Sequence, residues 1–504
     1  MKRTLSAALL LISGSCDALW GYTKVPTLDN NCQVGGVVCK PYEVCSADTE
    51  QCEQQVPKLT AAKPAIIFSN GDDQVTIAGS GFAPDTQVLI DDQPVTTIMI
   101  NSSQEFAFKT PAKKTAQGWG TTPVKVEVRS GGKSTIRTDL ISWASSVATF
   151  NAYTVPNIFT AGSGTPATIQ IADVDGDSKR DIIARSSSTG AFFVCIGNGD
   201  GTFRAGVKTA TNPPVASGHF IMADVDQDAR PDIVYWSNST GKFNYSLNTS
   251  NGNFSAETLL LGQPGTSYFL GSADLSGDGK SDLVVVNYNA ASLFSLLADA
   301  AGRLIPVGTM KSSSAISLYN KFPLFADFDK DAKMDLLVSP GENKISALYG
   351  NNDGYFLDSR TYTNSSTIAG SAVADLNNDG YPDIVTVTSP TGDIGLYKNM
   401  KDRSFTKTEF KNISSLATFL MVSDLNGDKN QDIFVLERGK FNATGYAFMG
   451  YGDGTFNKGA ATVNTAFPPL DDERFGDVDN DGRVDMALIH YGDNLVYVFS
   501  NVTK

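Results

Sequence analysis

One nine-residue pattern recurs seven times along this 504-residue chain. Asp375-Leu376-Asn377-Asn378-Asp379-Gly380-Tyr381-Pro382-Asp383 represents it, with oxygen side chains at positions one, three, five and nine. Apolar, strand-like runs flank it: Ala372-Val373-Ala374 before and Ile384-Val385-Thr386-Val387 after. The other copies begin at Asp173, Asp224, Asp274, Asp327, Asp424 and Asp477. Successive intervals, Asp375 included, are 51, 50, 53, 48, 49 and 53 residues. A fixed period near fifty signals a repeat architecture, in which each unit buries its apolar face only by stacking on its neighbours.

The alternation inside the pattern has a physical reason. A tight turn brings residues one, three and five to one side, where their oxygens converge. The ninth carboxylate closes the shell and the seventh residue can add its backbone carbonyl. Calcium takes six to eight oxygens at about 2.3–2.6 Å and tolerates irregular geometry. The expected ligands are Asp173, Asp175, Asp177, Lys179 and Asp181; Asp224, Asp226, Asp228, Arg230 and Asp232; Asp274, Ser276, Asp278, Lys280 and Asp282. They continue with Asp327, Asp329, Asp331, Lys333 and Asp335; Asp375, Asn377, Asp379, Tyr381 and Asp383; Asp424, Asn426, Asp428, Asn430 and Asp432; Asp477, Asp479, Asp481, Arg483 and Asp485. Up to seven structural Ca²⁺ are expected. An EF-hand is excluded, because it needs a glutamate at position twelve. Ala184, Tyr235, Val285, Val338, Thr386, Val435 and Leu488 stand there.

The loops are not equal. Position six is glycine only in Gly279, Gly380 and Gly482; elsewhere it is Ser178, Ala229, Ala332 and Lys429. If that position is left-handed, a non-glycine residue costs about 1–2 kcal/mol. The Asp477 loop is expected to bind tightest and the Asp274 or Asp424 loop weakest.

The net charge is −14, which argues against nucleic acid, since phosphate binding needs a basic footprint. The loops hold 25 of the 54 acidic residues at positions one, three, five and nine. The acidity therefore reads as a series of metal sites rather than a solvated tail.

Met1–Ala18 has the layout of a secretory signal peptide: Lys2 and Arg3, an apolar run from Leu5 to Ile12, then small residues at Cys16 and Ala18. No later run is long and apolar enough for a transmembrane helix, so a secreted, extracellular chain is expected. Asn101, Asn238, Asn244, Asn248, Asn253, Asn364, Asn412, Asn442 and Asn501 head glycosylation sequons. Cys32, Cys39, Cys45 and Cys52 lie within 21 residues, too short a stretch for a core, so two disulfides are expected to staple residues 19–56. Four cysteines allow three connectivities; Cys32–Cys45 with Cys39–Cys52 is the favoured one. This stretch resembles a truncated EGF-like module. Cys195 sits in the apolar run Phe192–Ile196 and reads as a buried, inert thiol.

Residues 57–143 carry short strands bounded by turns: Val75–Ile77, Gln87–Asp91, Glu105–Phe108 and Val124–Val128. With Pro64, Gly79-Ser80-Gly81-Phe82 and Thr110-Pro111 they resemble an IPT/TIG immunoglobulin-like domain, which implies a β-sandwich serving as spacer or interaction module.

From residue 146 each repeat predicts four short antiparallel strands, the unit of a propeller blade. The fourth strand follows a turn ending in an aromatic, as at Phe203, Phe254, Phe356, Phe405 and Phe456, expected between neighbouring blades. The last repeat lacks its fourth strand. Residues 146–156, whose Ala148–Val155 is similar to Gly454–Val463, are expected to close it. These repeats over 146–504 resemble FG-GAP/VCBS repeats, which build the seven-bladed head of integrin α subunits. The resemblance implies Ca²⁺ in the loop between the first two strands of each blade. The fold class expected is all-β: a seven-bladed β-propeller preceded by an Ig-like (IPT/TIG) β-sandwich and a small disulfide-rich module.

Saturated oxygen shells leave little room for substrate, and only His219 and His490 are available for acid–base work, in different repeats. The expectation is therefore no enzyme but a monomeric, calcium-stabilised adhesion protein for an extracellular protein or cell-surface ligand. The alternatives are a lectin holding glycan between blades, since such propellers also occur as secreted lectins, and a polysaccharide lyase or hydrolase. Trp236 is the only tryptophan of the repeats, which favours a protein ligand.

Overall fold

The computed structural model describes residues 33–34, 37–46, 51–113, 119–155, 166–209, 219–237, 241–262, 268–287, 292–300, 303–311, 323–411, 417–438, 443–457, 460–465, 470–490 and 495–503. The expected leader, Cys32 and the sequons at Asn238, Asn412 and Asn442 lie outside these residues. The described residues form strands, turns and loops, and no helix among them is long and apolar enough to cross a membrane. The chain divides into two compact units, Met1–Ser146 and Val147–Lys504.

In the first unit, Glu43–Cys45 pairs with Cys52–Gln54, and a disulfide joins Cys39 to Cys52 as expected. Cys45 is bonded in a second disulfide. Beyond it lie two four-stranded antiparallel sheets. One has the order Ile98–Ser102, Glu105–Lys109, Gln74–Ser80, Lys58–Lys63; the other Lys133–Arg137, Val126–Ser130, Gln87–Ile90, Gln93–Pro94. Ile66–Phe68, Ser142–Ala144 and Thr122–Pro123 form a third, three-stranded sheet. Gln74–Ile77 and Gln87–Ile90 alternate between exposed or half-buried and buried residues, so Val75, Ile77, Val88 and Ile90 meet Phe106, Phe108, Val126, Val128 and Trp143 in one core.

Among the described residues, the second unit contains seven four-stranded antiparallel sheets, each carrying one of the nine-residue loops between its first two strands. Numbered by their loops, sheet one is Pro166–Ala172, Asp181–Ser186, Phe192–Cys195 and Val207–Lys208. Sheet five is Thr367–Ala374, Asp383–Ser389, Asp393–Asn399 and Phe405–Lys411. Sheet seven takes three strands from the C-terminal repeat, Leu470–Gly476, Asp485–His490 and Leu495–Asn501. Its fourth is Phe150–Thr154, which runs antiparallel to Leu495–Asn501 with Phe150 opposite Asn501.

Every second strand begins at a position-nine aspartate and continues as an apolar run. Asp181–Ser186 and Asp232–Ser237 are buried at every residue. A strand covered on both faces reads as a continuous rather than an alternating hydrophobic run. The covering comes from neighbouring sheets. Ile183, Phe192 and Tyr235 join sheets one and two; Val234, Phe243 and Val285 join two and three; Val284, Leu293 and Leu336 join three and four. Leu337, Tyr349 and Ile384 join four and five; Val385, Leu396 and Val435 join five and six. Phe419 stacks on Phe475 between six and seven, with ring centroids 4.8 Å apart. Ile182, Ala184, Ala487 and Val498 then join seven back to one. This succession is the layout of a β-propeller. The turn aromatics Phe203, Phe254, Phe356, Phe405 and Phe456 all lie in these inter-sheet clusters.

Candidate metal centres

All seven loops share one hydrogen-bonded frame. The position-nine carboxylates of Asp181, Asp232, Asp282, Asp335, Asp383, Asp432 and Asp485 are buried. One oxygen of each accepts the N–H of the loop's second residue, for instance Val174 and Val478 at 2.8 Å and Leu376 at 3.1 Å. The other accepts the N–H of the residue ending or following the third strand: Gly197, Asn248, Ala298, Gly350, Asn399, Gly450 and Asn501, at 2.7–2.8 Å. This aspartate thus sets the register of three strands before any ion is considered. The first carboxylate turns the loop, accepting the N–H of residue six in all seven copies at 2.7–3.0 Å.

That turn requires left-handed backbone. Position six has φ between 63° and 85° in every loop, including at Ser178, Ala229, Ala332 and Lys429. Position four does the same, with φ between 55° and 80° at Gly176, Gln227, Gly277, Lys330, Asn378, Gly427 and Asn480. The second requirement was missed from sequence, although glycine or asparagine at five of the seven copies is its signature.

In four loops the carboxylates of positions one, three and nine converge to within 4.8 Å: Asp173/Asp175/Asp181, Asp224/Asp226/Asp232, Asp327/Asp329/Asp335 and Asp477/Asp479/Asp485. In the other three, position three is neutral: Ser276, Asn377 or Asn426. Position five has a backbone partner of its own. Its carboxylate accepts the N–H of residue seven at 2.8–3.1 Å in every loop. In five loops a basic side chain at position seven pairs with it: Lys179 with Asp177, Arg230 with Asp228, Lys280 with Asp278, Lys333 with Asp331 and Arg483 with Asp481.

Burial, reinforced by like-charged neighbours, pushes the carboxyls of Asp181, Asp232, Asp335 and Asp383 up to about 6 and that of Asp485 to about 7, against the pull of their backbone N–H partners. Asp432 is raised well above the ordinary range for the same reason. Clustered carboxylates made costly by burial and mutual repulsion are a donor set suited to a hard cation.

Four expected glycan acceptors are buried, in this frame or in the core. Asn248 and Asn501 are buried and send Nδ2 to the carbonyls of Val174 and Leu425, the second residues of the preceding sheets' loops, at 2.8 and 3.1 Å. Asn364 is buried and its Oδ1 accepts from the Tyr397 hydroxyl at 2.7 Å. Asn244 is buried too, its Nδ2 donating to the Lys242 carbonyl. Asn101 and Asn253 are exposed. Cys195 is a free, buried thiol, pushed up to about 12 by burial.

A family model of the FG-GAP-like repeat matches residues 173–235, 224–285, 274–338, 327–386 and 424–488, which together take in all seven loops and more than half the chain. The chain belongs to the FG-GAP-like repeat family. The IPT/TIG domain model matches residues 57–140, ahead of the FG-GAP repeats. Among solved structures, an Agrocybe aegerita lectin described by its specific recognition of non-reducing terminal N-acetylglucosamine is similar over 83% of this chain and 100% of its own, at 18% identity and a TM-score of 0.51. An auxiliary nutrient binding protein from Bacteroides ovatus is similar over 89% and 98%, at 11% identity and a TM-score of 0.40. At 18% identity the likeness to the lectin is one of fold alone. No curated protein matches the chain.

Proposed function

We propose that this is a secreted, calcium-stabilised β-propeller of seven blades that binds an extracellular protein or cell-surface ligand, with one Ca²⁺ loop in each blade. The observation that carries the metal reading is the sevenfold repetition of one loop frame, with three carboxylates converging in four copies. Each ion would be held by positions one, three, five and nine and the carbonyl of position seven, and would supply charge neutralisation and cross-linking of two strands, not catalysis. The IPT/TIG domain would act as a spacer. His219 and His490 belong to different repeats, so no acid–base pair is assigned and the role proposed is binding.

A second reading, a glycan as ligand, is favoured by one cleft between sheets five and six. It has a volume of about 550 Å³ and is lined by Phe410, Phe456, Thr408, Glu409, Thr455 and Asn457 among others. The Phe410 and Phe456 rings stack at 6.4 Å. Glu409 pairs with Lys407, which offsets its charge. A neutral saccharide matches that mixture of aromatic faces and polar groups. Trp236, in contrast, is buried and offers no platform. Parallel glycan and cell-surface protein arrays, probed with wild type and Phe456→Ala, test both readings. Protein binding unaffected by the substitution supports the first, glycan binding lost with it supports the second, and no binding on either array overturns both.

A further inference from the structure

In sheets one and six the turn between the third and fourth strands overlies the loop of the sheet before it. A Cβ placed on Gly201 would stand 3.7 Å from the Cβ of Asp479, and one on Gly454 would stand 3.6 Å from that of Asn377; both are position-three residues of the preceding loops. The equivalent turn residues Gly201, Gly252, Gly354 and Gly454 have φ of 70–82°. In sheet five the same position is Arg403, with φ 63°. An arginine therefore occupies a left-handed position where the other described turns of this length use glycine, at a backbone cost that the fold does not require.

Its side chain shows what that cost is set against. Arg403 Nε and Nη2 lie 2.6 and 2.5 Å from Asp329 Oδ2, and Nη2 lies 3.8 Å from Asp331. Asp329 is the position-three ligand candidate of the Asp327 loop, one of the four three-carboxylate groups. The guanidinium lies over the Tyr349 ring, 4.8 Å from its centroid, and the Tyr349 hydroxyl donates to the Arg403 carbonyl at 3.1 Å. Main chain and side chain are thus both fixed on sheet four. Asp329 Oδ1 accepts the Asp331 N–H at 3.2 Å, so both oxygens of this carboxylate already have partners.

We infer that Arg403 is a built-in cation that competes with metal at the Asp327 loop and makes it the weakest of the four all-aspartate sites, while holding sheets four and five together without an ion. A bound divalent cation would have to share Asp329 with the guanidinium or displace it, and the two positive charges repel at short range. The inference rests on the calcium reading above.

Calorimetric Ca²⁺ titration of the full chain tests it, comparing wild type with Arg403→Gly and Arg403→Gln. Glycine restores the residue used by the other turns and relieves the backbone; glutamine keeps a polar side chain without charge. The expected result is that one site tightens about tenfold or more in both variants, the others staying unchanged. Adding Asp327→Asn should abolish the gain. Loss of a merely structural contact would weaken binding or leave it alone; relief of competition tightens it. Isotherms unchanged in both variants, with wild type binding Ca²⁺ normally, overturn the inference alone. A wild-type chain that takes up no Ca²⁺ overturns the calcium reading and the inference with it.

Discussion

At the scale of single residues, the loops are built on backbone angles as much as on charge. Gly279, Gly380 and Gly482 have open space where a Cβ would stand, so their requirement is angular, not steric. Gly482→Ala should cost about 1–2 kcal/mol in denaturant melts, and Ala332→Gly should return a similar amount. Equal stabilities for both variants and wild type would contradict this. The position-nine carboxyls add a pH dependence. Burial holds several of them near 6 or 7, above their ordinary range. The metal-free fold therefore binds more protons than the unfolded chain between about pH 4 and 7, and its stability falls as pH rises through that window. A cation uses the same oxygens deprotonated, so it binds more tightly over the same rise. In EDTA the melting temperature should drop between about pH 5 and 7.5, while the Ca²⁺-induced increment grows. An increment that does not vary with pH would contradict it. The aspartates were legible in sequence because their one-three-five-nine spacing is chemical. Gln227 and Lys330 were not, because nothing in those side chains signals the left-handed angle the turn imposes on them.

At the scale of elements, the junction after each third strand decides how one sheet meets the next. Asn399 Nδ2 donates to the carbonyls of Phe328, in the preceding loop, and Pro382, in its own, at 2.7 and 3.0 Å. Asn248 and Asn501 make the equivalent contact to the preceding loop. In sheet six the backbone N–H of Gly454 does so instead, to Leu376 at 3.0 Å. Asn399→Ala should leave buried carbonyls unmatched and cost about 1–3 kcal/mol in melting experiments. The strands themselves were readable as apolar runs flanking each loop. At Asn248 and Asn501 this junction was hidden, because asparagine followed by Ser or Thr two residues on is also a glycosylation signal. Peptide mapping of the protein expressed through a eukaryotic secretory route should find glycan at Asn101 and Asn253 and none at Asn248, Asn364 or Asn501; glycan at any of the last three would show that the fold leaves them accessible.

At the scale of the whole molecule, the strand Phe150–Thr154 is separated by more than 340 residues from its partner Leu495–Asn501. Pairing the two ends covers an edge that would otherwise stay open. Removing residues 146–156 should therefore lower the melting temperature of the entire propeller, whereas an unchanged melt would mean that the seam does not need the strand. The repeat period announced this architecture, because each blade must bury its faces on its neighbours. The cleft between sheets five and six was not legible, since it depends on how Phe410 and Phe456 of adjacent repeats come together. The central claim is that metal and fold are coupled across all the blades. The most direct test is thermal melting of the full chain in Ca²⁺ and in EDTA, with calorimetric counting of bound ions. A large stabilisation with about five to seven Ca²⁺ per chain is the predicted result. No shift, or only one or two ions, would contradict a metal-built propeller.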